Sequence, residues 1–329
     1  MRNPTRRGLI VAGAGVLAAP SILGSSAWAQ GAFPNKPIRI VVPYPAGGQT
    51  DGIARVYGEY LARKLGTSVV VENKGGAGGT IGVAEVKRAP PDGYTVLCTI
   101  SSSLIQNRVT VKDLPYDPEK DFTYLAMTTS LGGPVVAAEK TGATNLKQFV
   151  EYAKKVDKLN FGAYGPGSTP QMLIETMAKQ YGFKVEVVQY RGEAAMFTDV
   201  AAQALDGGAG SPAGAAAVIA SGKGKAIAMM GDRLPAFPGV ATMTEQGAVG
   251  GFYETRAFAV FAVPAATPKD VSKKLADTLF EAGTDEKVKA LMANYLIVGP
   301  LDMEATNKVF QRDTRIMLQV MKEIGIKAE

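Results

Sequence analysis

The sequence predicts an α/β protein of two lobes, in which each lobe is a mainly parallel sheet flanked by helices. Short β-branched and apolar runs alternate with segments of helical periodicity, and this alternation is typical of parallel βαβ units in a doubly wound sheet. The pattern restarts beyond Asp121-Phe122 and again near Ala257. A chain of 329 residues is long enough for two domains with sizeable cores. The cleft between the lobes is therefore the default ligand site.

Each element follows from a local pattern. Ile38 to Pro43 is a β-branched run that predicts a buried strand, and Asp51 to Leu65 is an amphipathic segment that predicts a helix with Thr50 as its cap. The same criteria predict the remaining elements, which are strands at 69–72, 95–99, 135–138, 160–163, 186–189 and 257–263, and helices at 80–88, 145–156, 169–181 and 303–324.

Residues 1–29 predict a cleaved secretory signal. Three arginines precede a short apolar run at 9–23, and Ala27-Trp28-Ala29 supplies an A-x-A cleavage site. The apolar run is shorter than the roughly 20 residues that a membrane-spanning helix requires. Positions 5–10 partly match a twin-arginine signal, so the twin-arginine and the general export route both stay open. We expect an exported protein with no direct membrane anchor.

The composition excludes several kinds of chemistry. The chain has no His and one Cys, so it has no Ser-His-Asp or Cys-His pair, no disulfide within the chain and no cysteine zinc site. We expect no metal and no cofactor, and we expect Cys98 to be a small buried apolar residue. The formal charge is +6, but the signal segment holds three Arg and no acid, which leaves 33 basic and 30 acidic residues. This mild excess argues against nucleic acid as a partner.

Three glycine-rich turns follow predicted strands and precede predicted helices, at 43–51, 73–80 and 165–169. Glycines let backbone amides approach a ligand, and a helix amino terminus favours an anion, so such turns can hold a carboxylate or phosphate. Each turn by itself is equally a common structural connector. The three together favour an anion-binding cleft. None ends in the G-K-[ST] of a phosphate-binding loop, which argues against nucleoside triphosphates.

Seven motifs, spread over essentially the whole mature chain, follow one another in a recognisable order. They are PYPAGGQTD (43–51), VVENKGGAGG (70–79), PDGYT (91–95), LPYDP (114–118), DF (121–122), QYRG (189–192) and FPGVAT (237–242). Together they resemble the Bug-type substrate-binding proteins of tripartite tricarboxylate transporters. The resemblance implies a periplasmic Venus flytrap protein, type II-like, with lobe 1 at 30–132 and 252–329 and lobe 2 at 133–251.

The resemblance also implies a ligand and partners. We expect a monomer that binds a carboxylated metabolite between its lobes and delivers it to the membrane permease subunits of a tripartite transporter. In the first lobe the resemblance places the ligand at Ala46, Gly47, Gly48, Thr50 and Asp51, with Gly78 and Gly79 at the family's glycine loop. In the second lobe it places the ligand at Gly165, Gly167, Ser168, Thr169, Tyr190 and Gly192. Ser101, Ser102 and Ser103 are either further hydroxyl donors to the cleft or a solvated turn.

Several departures from the family pattern bear on the ligand. Family members often have Phe at the position of Tyr44, His at Gln171, Lys at Arg191 and Asp at Gly210. The loss of that Asp predicts less repulsion of an anion and more room. Arg256, at the second crossing between lobes, can pair with a second carboxylate, or it forms a surface ion pair with Glu254 or a neighbour.

These features lead to one functional hypothesis with two alternatives. We hypothesise a receptor for a di- or aromatic carboxylate, held by the Gly47-Gly48 turn at one end and by Arg191 or Arg256 at the other. The alternatives are a ligand-presenting sensor for a membrane signalling partner and, from scattered groups such as Lys74 and Asp92, a small-molecule enzyme.

Overall fold

Strands and helices alternate along the computed structural model, which describes residues 33–327. The predicted signal, 1–29, lies outside these residues. The strands are β1 (Ile38–Val42), β2 (Val69–Asn73), β3 (Thr95–Ile100), β4 (Phe122–Ser130), β5 (Gly132–Ala138), β6 (Leu159–Ala163), β7 (Val185–Gln189), β8 (Gly207–Ala209), β9 (Gly224–Gly231), β10 (Phe258–Pro264) and β11 (Ile297–Leu301). The helices are α1 (Gln49–Leu65), α2 (Thr80–Lys87), α3 (Asn107–Thr110), α4 (Leu146–Lys155), α5 (Thr169–Tyr181), α6 (Glu193–Ala201), α7 (Pro212–Ala220), α8 (Lys269–Glu281), α9 (Glu286–Tyr295) and α10 (Met303–Glu323).

The strands form two sheets, and the predicted α/β class is confirmed. The first sheet has the order β11-β4-β10-β3-β1-β2 and the second has the order β7-β6-β8-β5-β9. Parallel pairing joins β1 to β2 and β3, and β6 to β7 and β8. All of these strands except β8, which the sequence pattern did not predict, belong to the predicted βαβ units.

The sheets are mixed rather than mainly parallel, which corrects one detail of the prediction. In the first sheet β10 runs antiparallel to β3 and β4, and β11 runs antiparallel to β4. In the second sheet β5 runs antiparallel to β8 and β9. An apolar run has the same pattern in either direction, so the sequence could not show that the strands beside the crossings are reversed.

The chain crosses between the sheets in two places. Leu131 alone separates β4 of the first sheet from β5 of the second. The return passes through a 3₁₀ turn at Gly251–Glu254 and enters β10 at Phe258. The one-residue crossing leaves Ser130 next to both sheets, and Arg256 lies on the return, two residues before β10.

Helix α10 contributes to the cores of both lobes. Its Phe310 and Met317 belong to the core on the first sheet, with Leu97 and Phe258. Its Val320 and Met321 are buried in the core on the second sheet, with residues such as Phe161 and Leu173. The last turns of α10 therefore pack on the second lobe, although the predicted boundaries assign all of 252–329 to the first.

The start of α1 differs from the prediction. The helix begins at Gln49, two residues before the predicted start, and Gly48 occupies the cap position without a side-chain cap. Thr50 is buried in the first turn instead of capping the helix. Cys98 of β3 lies below this turn, with its Sγ 3.9 Å from the Thr50 carbonyl oxygen, and it is fully buried as expected.

Within residues 33–327, no helix combines the length and the apolar character that crossing a bilayer requires.

Gly133 allows a close contact between backbones in the second sheet. A Cβ added at this position would lie 2.0 Å from the carbonyl oxygen of Gly210. We expect Gly133→Ala to lower the free energy of unfolding by roughly 1–3 kcal/mol or more, since a backbone atom cannot move aside cheaply. Thermal and denaturant unfolding measure the loss.

Gly192→Ala is the matched control in the same lobe. A Cβ there has no neighbour within 4 Å, and the φ of 174° is extended backbone that any residue adopts. Equal unfolding free energies for the two variants would contradict the close contact at Gly133.

A buried carboxylate in the middle of α10 predicts a pH dependence of stability. Asp313 is fully buried; its Oδ1 accepts from Arg312 Nε at 2.7 Å, and its Oδ2 has no hydrogen-bonding partner among the described residues. Burial raises the pKa of Asp313, and Arg312 and Arg256 offset this only in part. The folded protein therefore holds this proton more tightly than the unfolded chain, whose pKa is near 3.8. The stability that comes from this tighter proton binding is fully present below the pKa of the unfolded chain. It is lost as the pH rises through the pKa of the folded protein.

Asp313→Asn removes this titration. The difference in unfolding free energy, variant minus wild type, should therefore increase between pH 4 and neutral pH, because only the wild type loses stability from this group. Asp157→Asn, at a side chain that is 100% exposed, is the control for the same substitution outside the core. A constant difference for Asp313→Asn would refute the raised pKa.

Candidate functional site

A cavity of about 310 Å³ lies between the two sheets. This volume is at the lower end of the range of small-molecule sites. The first lobe contributes Thr50 of α1, Ser101 after β3, and Thr128 of β4. The second lobe contributes residues that follow β6, the first residue of α6 and residues that follow β8, and the return crossing contributes Arg256. The second-lobe residues used below are Tyr164, Thr169, Glu193, Gly210 and Ser211.

Four of the predicted ligand-binding residues line this cavity: Thr50, Ser101, Thr169 and Arg256. The other predicted residues are not among those that line it, and most of them have contacts within the protein that explain their sequence pattern. They are Tyr44, Ala46, Gly47, Gly48, Asp51, Gly78, Gly79, Ser102, Gly165, Gly167, Ser168, Tyr190, Arg191 and Gly192.

The turn before α1 brings the helix amino terminus to the cavity. Gln49 and Thr50 both line it, and the first hydrogen bond of the helix runs from the Gly52 amide to the Gly48 carbonyl at 3.0 Å. The amides that precede Gly52 have no acceptor within the helix, and they carry the positive end of the helix dipole. This part of the predicted anion cradle therefore faces the cavity.

Asp51 maintains the shape of that turn. Its carboxylate accepts from the Gly47 amide at 2.9 Å, from Arg55 Nε at 3.0 Å and from Asn73 Nδ2 at 2.9 Å. Burial alone would raise the pKa of Asp51, but the hydrogen bonds from Arg55, Gly47 and Asn73 outweigh it and lower the pKa. These bonds occupy the carboxylate, so Asp51 positions the turn.

The second glycine turn packs against its own lobe. A Cβ at Gly79 would lie 3.0 Å from the Tyr44 hydroxyl and one at Gly78 would lie 3.4 Å from Asn107 Oδ1. The Tyr44 hydroxyl in turn lies 3.4 Å from Ser102 Oγ. The glycines at 78 and 79 thus make room for Tyr44 and Asn107.

The serines after β3 differ from one another. Ser101 is buried and lines the cavity, and a π-helical turn, Ser102–Gln106, begins directly after it. Ser103 is fully buried, with its Oγ 2.6 Å from Thr99 Oγ1. A solvated turn therefore does not describe Ser101 or Ser103.

The turn before α5 is held largely by glutamines. The Gly165 amide donates to Gln189 Oε1 at 2.9 Å and the Gly167 amide donates to Gln171 Oε1 at 3.0 Å. A Cβ at Gly167 would lie 2.9 Å from Met321 Cε of α10. Ser168 Oγ is buried without a hydrogen-bonding partner among the described residues, and Thr169 lines the cavity.

The loop after β7 points its polar groups away from the cavity. The Tyr190 hydroxyl donates to Asp199 Oδ2 at 2.6 Å; burial, followed by this bond, raises the pKa of Tyr190 to about 12. Arg191 is exposed. The loop therefore connects β7 to α6 without contributing to the cavity wall.

Arg256 is the one cation among the described residues that line the cavity. One guanidinium nitrogen is 2.5 Å from Asp232 Oδ1, and 30% of the Arg256 side chain is exposed. Of the expected partners, Glu254 or a neighbour, the structure pairs Arg256 with Asp232. The Nε of Arg256 and the Oγ1 of Thr128 are buried without hydrogen-bonding partners among the described residues. Two polar atoms in cavity-lining residues therefore have unused hydrogen-bonding capacity.

Glu193 is the anion of the cavity, and sequence reasoning did not single it out. Its Oε2 accepts from the Ser211 amide at 2.8 Å and its Oε1 accepts from Ser211 Oγ at 2.6 Å. A Cβ at Gly210 would lie 2.7 Å from Glu193 Oε2. The prediction that Gly210 leaves the cleft without an acid and with more room is therefore wrong, because the Glu193 carboxylate fills that space. The sequence signal was the acid at the first position of α6, where an acid also suits the helix dipole.

Tyr164 was also missed. Tyr164 lines the cavity, and 36% of its surface is accessible. Enclosure by surrounding protein atoms raises the pKa of Tyr164 to about 12, and the negative charge of Glu193 contributes to this rise. The hydroxyl is thus protonated at neutral pH.

Comparison with known proteins gives consistent matches. The family model described as "Tripartite tricarboxylate transporter family receptor" matches residues 53–326. A UPF0065 protein in the gbd 5' region of Cupriavidus necator is 32% identical over 274 residues, covering 80% of this chain and 81% of that protein. Protein BugT of Bordetella pertussis is 28% identical over 301 residues, covering 90% and 91% of the two chains.

Solved structures match over a similar extent. A structure described as that of a periplasmic transporter has 30% identity and a TM-score of 0.71, covering 91% of this chain and 100% of that one. The periplasmic binding protein BugD has 29% identity and a TM-score of 0.69, covering 90% and 100%.

Proposed function

This chain belongs to the family of tripartite tricarboxylate transporter receptors, and we propose that its cavity binds one carboxylate group of a small metabolite between Arg256, Thr128 and the amino terminus of α1. Membership confirms the resemblance identified from the seven motifs. The family is one of periplasmic solute-binding proteins that serve membrane permeases. In our proposal this chain is a monomer that carries its ligand to such a permease.

The observation that carries this proposal is a pair of buried polar atoms without partners, one in each of two residues that line the cavity. Arg256 Nε and Thr128 Oγ1 each lack a partner among the described residues, and burying such groups unpaired is costly. A carboxylate accepts from both, and a guanidinium–carboxylate hydrogen bond is stronger than a neutral one. The first-turn amides of α1 add donors nearby.

Arg256 fits the role better than Arg191, which was the other candidate. Arg256 lines the cavity and has a buried nitrogen, whereas Arg191 is exposed on the loop after β7. Arg256 also lies on the return crossing, where a ligand contact links binding to the angle between the lobes. We infer that binding and release, without chemical change of the ligand, are the whole cycle.

We expect Arg256→Ala to weaken carboxylate binding roughly ten- to one-hundred-fold, because it removes a charge-assisted hydrogen bond. Titration calorimetry of the signal-free protein with a panel of small carboxylic acids measures the loss. Arg191→Ala is the control and should leave affinity unchanged. The ligand should be recovered intact after incubation, as mass spectrometry can check.

Two outcomes would refute the proposal. One is equal affinity of wild type and Arg256→Ala for every acid that binds. The other is the appearance of a chemical product.

We further propose that the protein reaches the periplasm through cleavage after Ala29. The exported form should begin at Gln30, which mass spectrometry of the periplasmic fraction tests. Changing both Arg6 and Arg7 to Lys should block export if the route is the twin-arginine one and should leave export intact if it is not. An exported protein that retains Arg6 and Arg7 would contradict the predicted cleavage.

A further inference from the structure

The Glu193 side chain lies in a slot that two glycines create. A Cβ at Gly214 would lie 2.5 Å from Glu193 Cδ, and one at Gly210 would lie 2.7 Å from Glu193 Oε2. Any larger residue at either position would therefore displace the carboxylate. Glu193 is at the start of α6, whereas Gly210 follows β8 and Gly214 lies in α7, so three separate segments define this position.

Ser211 fixes the orientation of the carboxylate. Its amide donates to one oxygen at 2.8 Å and its hydroxyl donates to the other at 2.6 Å. Both donors are neutral groups, so they hold the carboxylate without cancelling its charge. An ionised carboxylate has about four acceptor positions, and these two bonds leave acceptor capacity on a residue that lines the cavity.

The cavity therefore has one charged side chain of each sign among its described lining residues. Arg256 already pairs with Asp232, whereas the hydrogen bonds that Glu193 accepts come from the neutral groups of Ser211. Arg256, on the return crossing, suits a carboxylate, whereas a second carboxylate near Glu193 would face a like charge. This arrangement disfavours the dianionic ligand expected from the sequence. It favours a ligand with a carboxylate at one end and a cation at the other.

Tyr164 supports the same charge preference independently. Tyr164 also lines the cavity, and the face of an aromatic ring attracts an ammonium group. A carboxylate and a tyrosine among the lining residues are the chemistry that recognises a protonated amine.

We propose that Glu193 determines specificity and that this receptor takes an amino-bearing carboxylate, with its ammonium group at Glu193 and its carboxylate toward Arg256. The inference rests on the proposed function, because it assumes that the cavity binds a carboxylate. It assigns the end of the ligand that lies away from the carboxylate, and it states which class of carboxylate the cavity prefers.

Matched ligand trios test the proposal, since their members differ only at the far end. One trio is δ-aminovalerate, glutarate and valerate, and the other is p-(aminomethyl)benzoate, terephthalate and p-toluate. In calorimetry, the ammonium member should bind the wild-type protein at least about tenfold more tightly than the dicarboxylate of its trio. Tighter or equal binding of the dicarboxylate would overturn the proposal without using any variant.

Glu193→Gln keeps the size and shape of the side chain and removes its charge. It should weaken binding of the ammonium member at least about tenfold, strengthen binding of the dicarboxylate, and change the uncharged member less than about threefold. Glu193→Asp, which keeps the charge, should retain the preference for the ammonium member. Thermal unfolding establishes that each variant is folded.

Glu186→Gln is the matched control, because it removes an exposed acid of the same lobe that pairs with Lys158 outside the cavity. It should leave all affinities unchanged. If Glu193→Gln leaves the ratio of ammonium to dicarboxylate affinity unchanged while carboxylates bind, this inference fails and the proposed function stands. If no member of either trio binds, this inference and the proposed function are both rejected for ligands of this size.

Discussion

The close approach of two backbone segments where the chain leaves the first sheet is the constraint on which the site depends. A Cβ at Gly132 would lie 1.7 Å from the Met230 carbonyl oxygen, and one at Gly133 would lie 2.0 Å from that of Gly210. Side chains at these positions would force β5 away from its neighbours. With glycine, β5 lies between β8 and β9, directly after β4, and Thr128 and Gly210 line one cavity.

The polar groups of the cleft are oriented by protein partners before any ligand arrives. Asp232 holds one end of Arg256 and Ser211 holds both oxygens of Glu193. Ordering of these side chains thus costs little on binding, which is the benefit of preorganisation. The glycine turns are also ordered before binding, because Asp51 and Gln171 accept hydrogen bonds from the turn amides of Gly47 and Gly167.

Helix α10 connects the two lobes outside the crossings. Its middle packs on the first core and its last turns pack on the second, and Met321 contacts the turn at Gly167. A change in the angle between lobes would therefore alter packing along this helix. Asp313 is buried in its middle, where a carboxylate is an expensive group to enclose.

Local patterns were sufficient for most of the elements. The predicted helix 169–181 has the observed bounds of α5, and the strand predicted from Ile38 ends within one residue of β1. Periodicity and turn chemistry depend on neighbours in sequence, so a sequence contains them. The direction of the strands at the crossings was not predictable, because an apolar run is the same in both directions.

The candidate site also has features that the sequence predicted and features that it did not. The sequence by itself determined the family and the α/β class. Four of the residues expected to bind the ligand, Thr50, Ser101, Thr169 and Arg256, line the cavity, since helix starts and strand ends follow from local pattern. Only the tertiary structure decided that the Asp51 carboxylate holds the turn before α1 by hydrogen bonds and that Glu193 is the anion of the cleft. The reason is that the position of a side chain depends on the space that distant residues leave, and Glu193 obtains its space from Gly210 and Gly214.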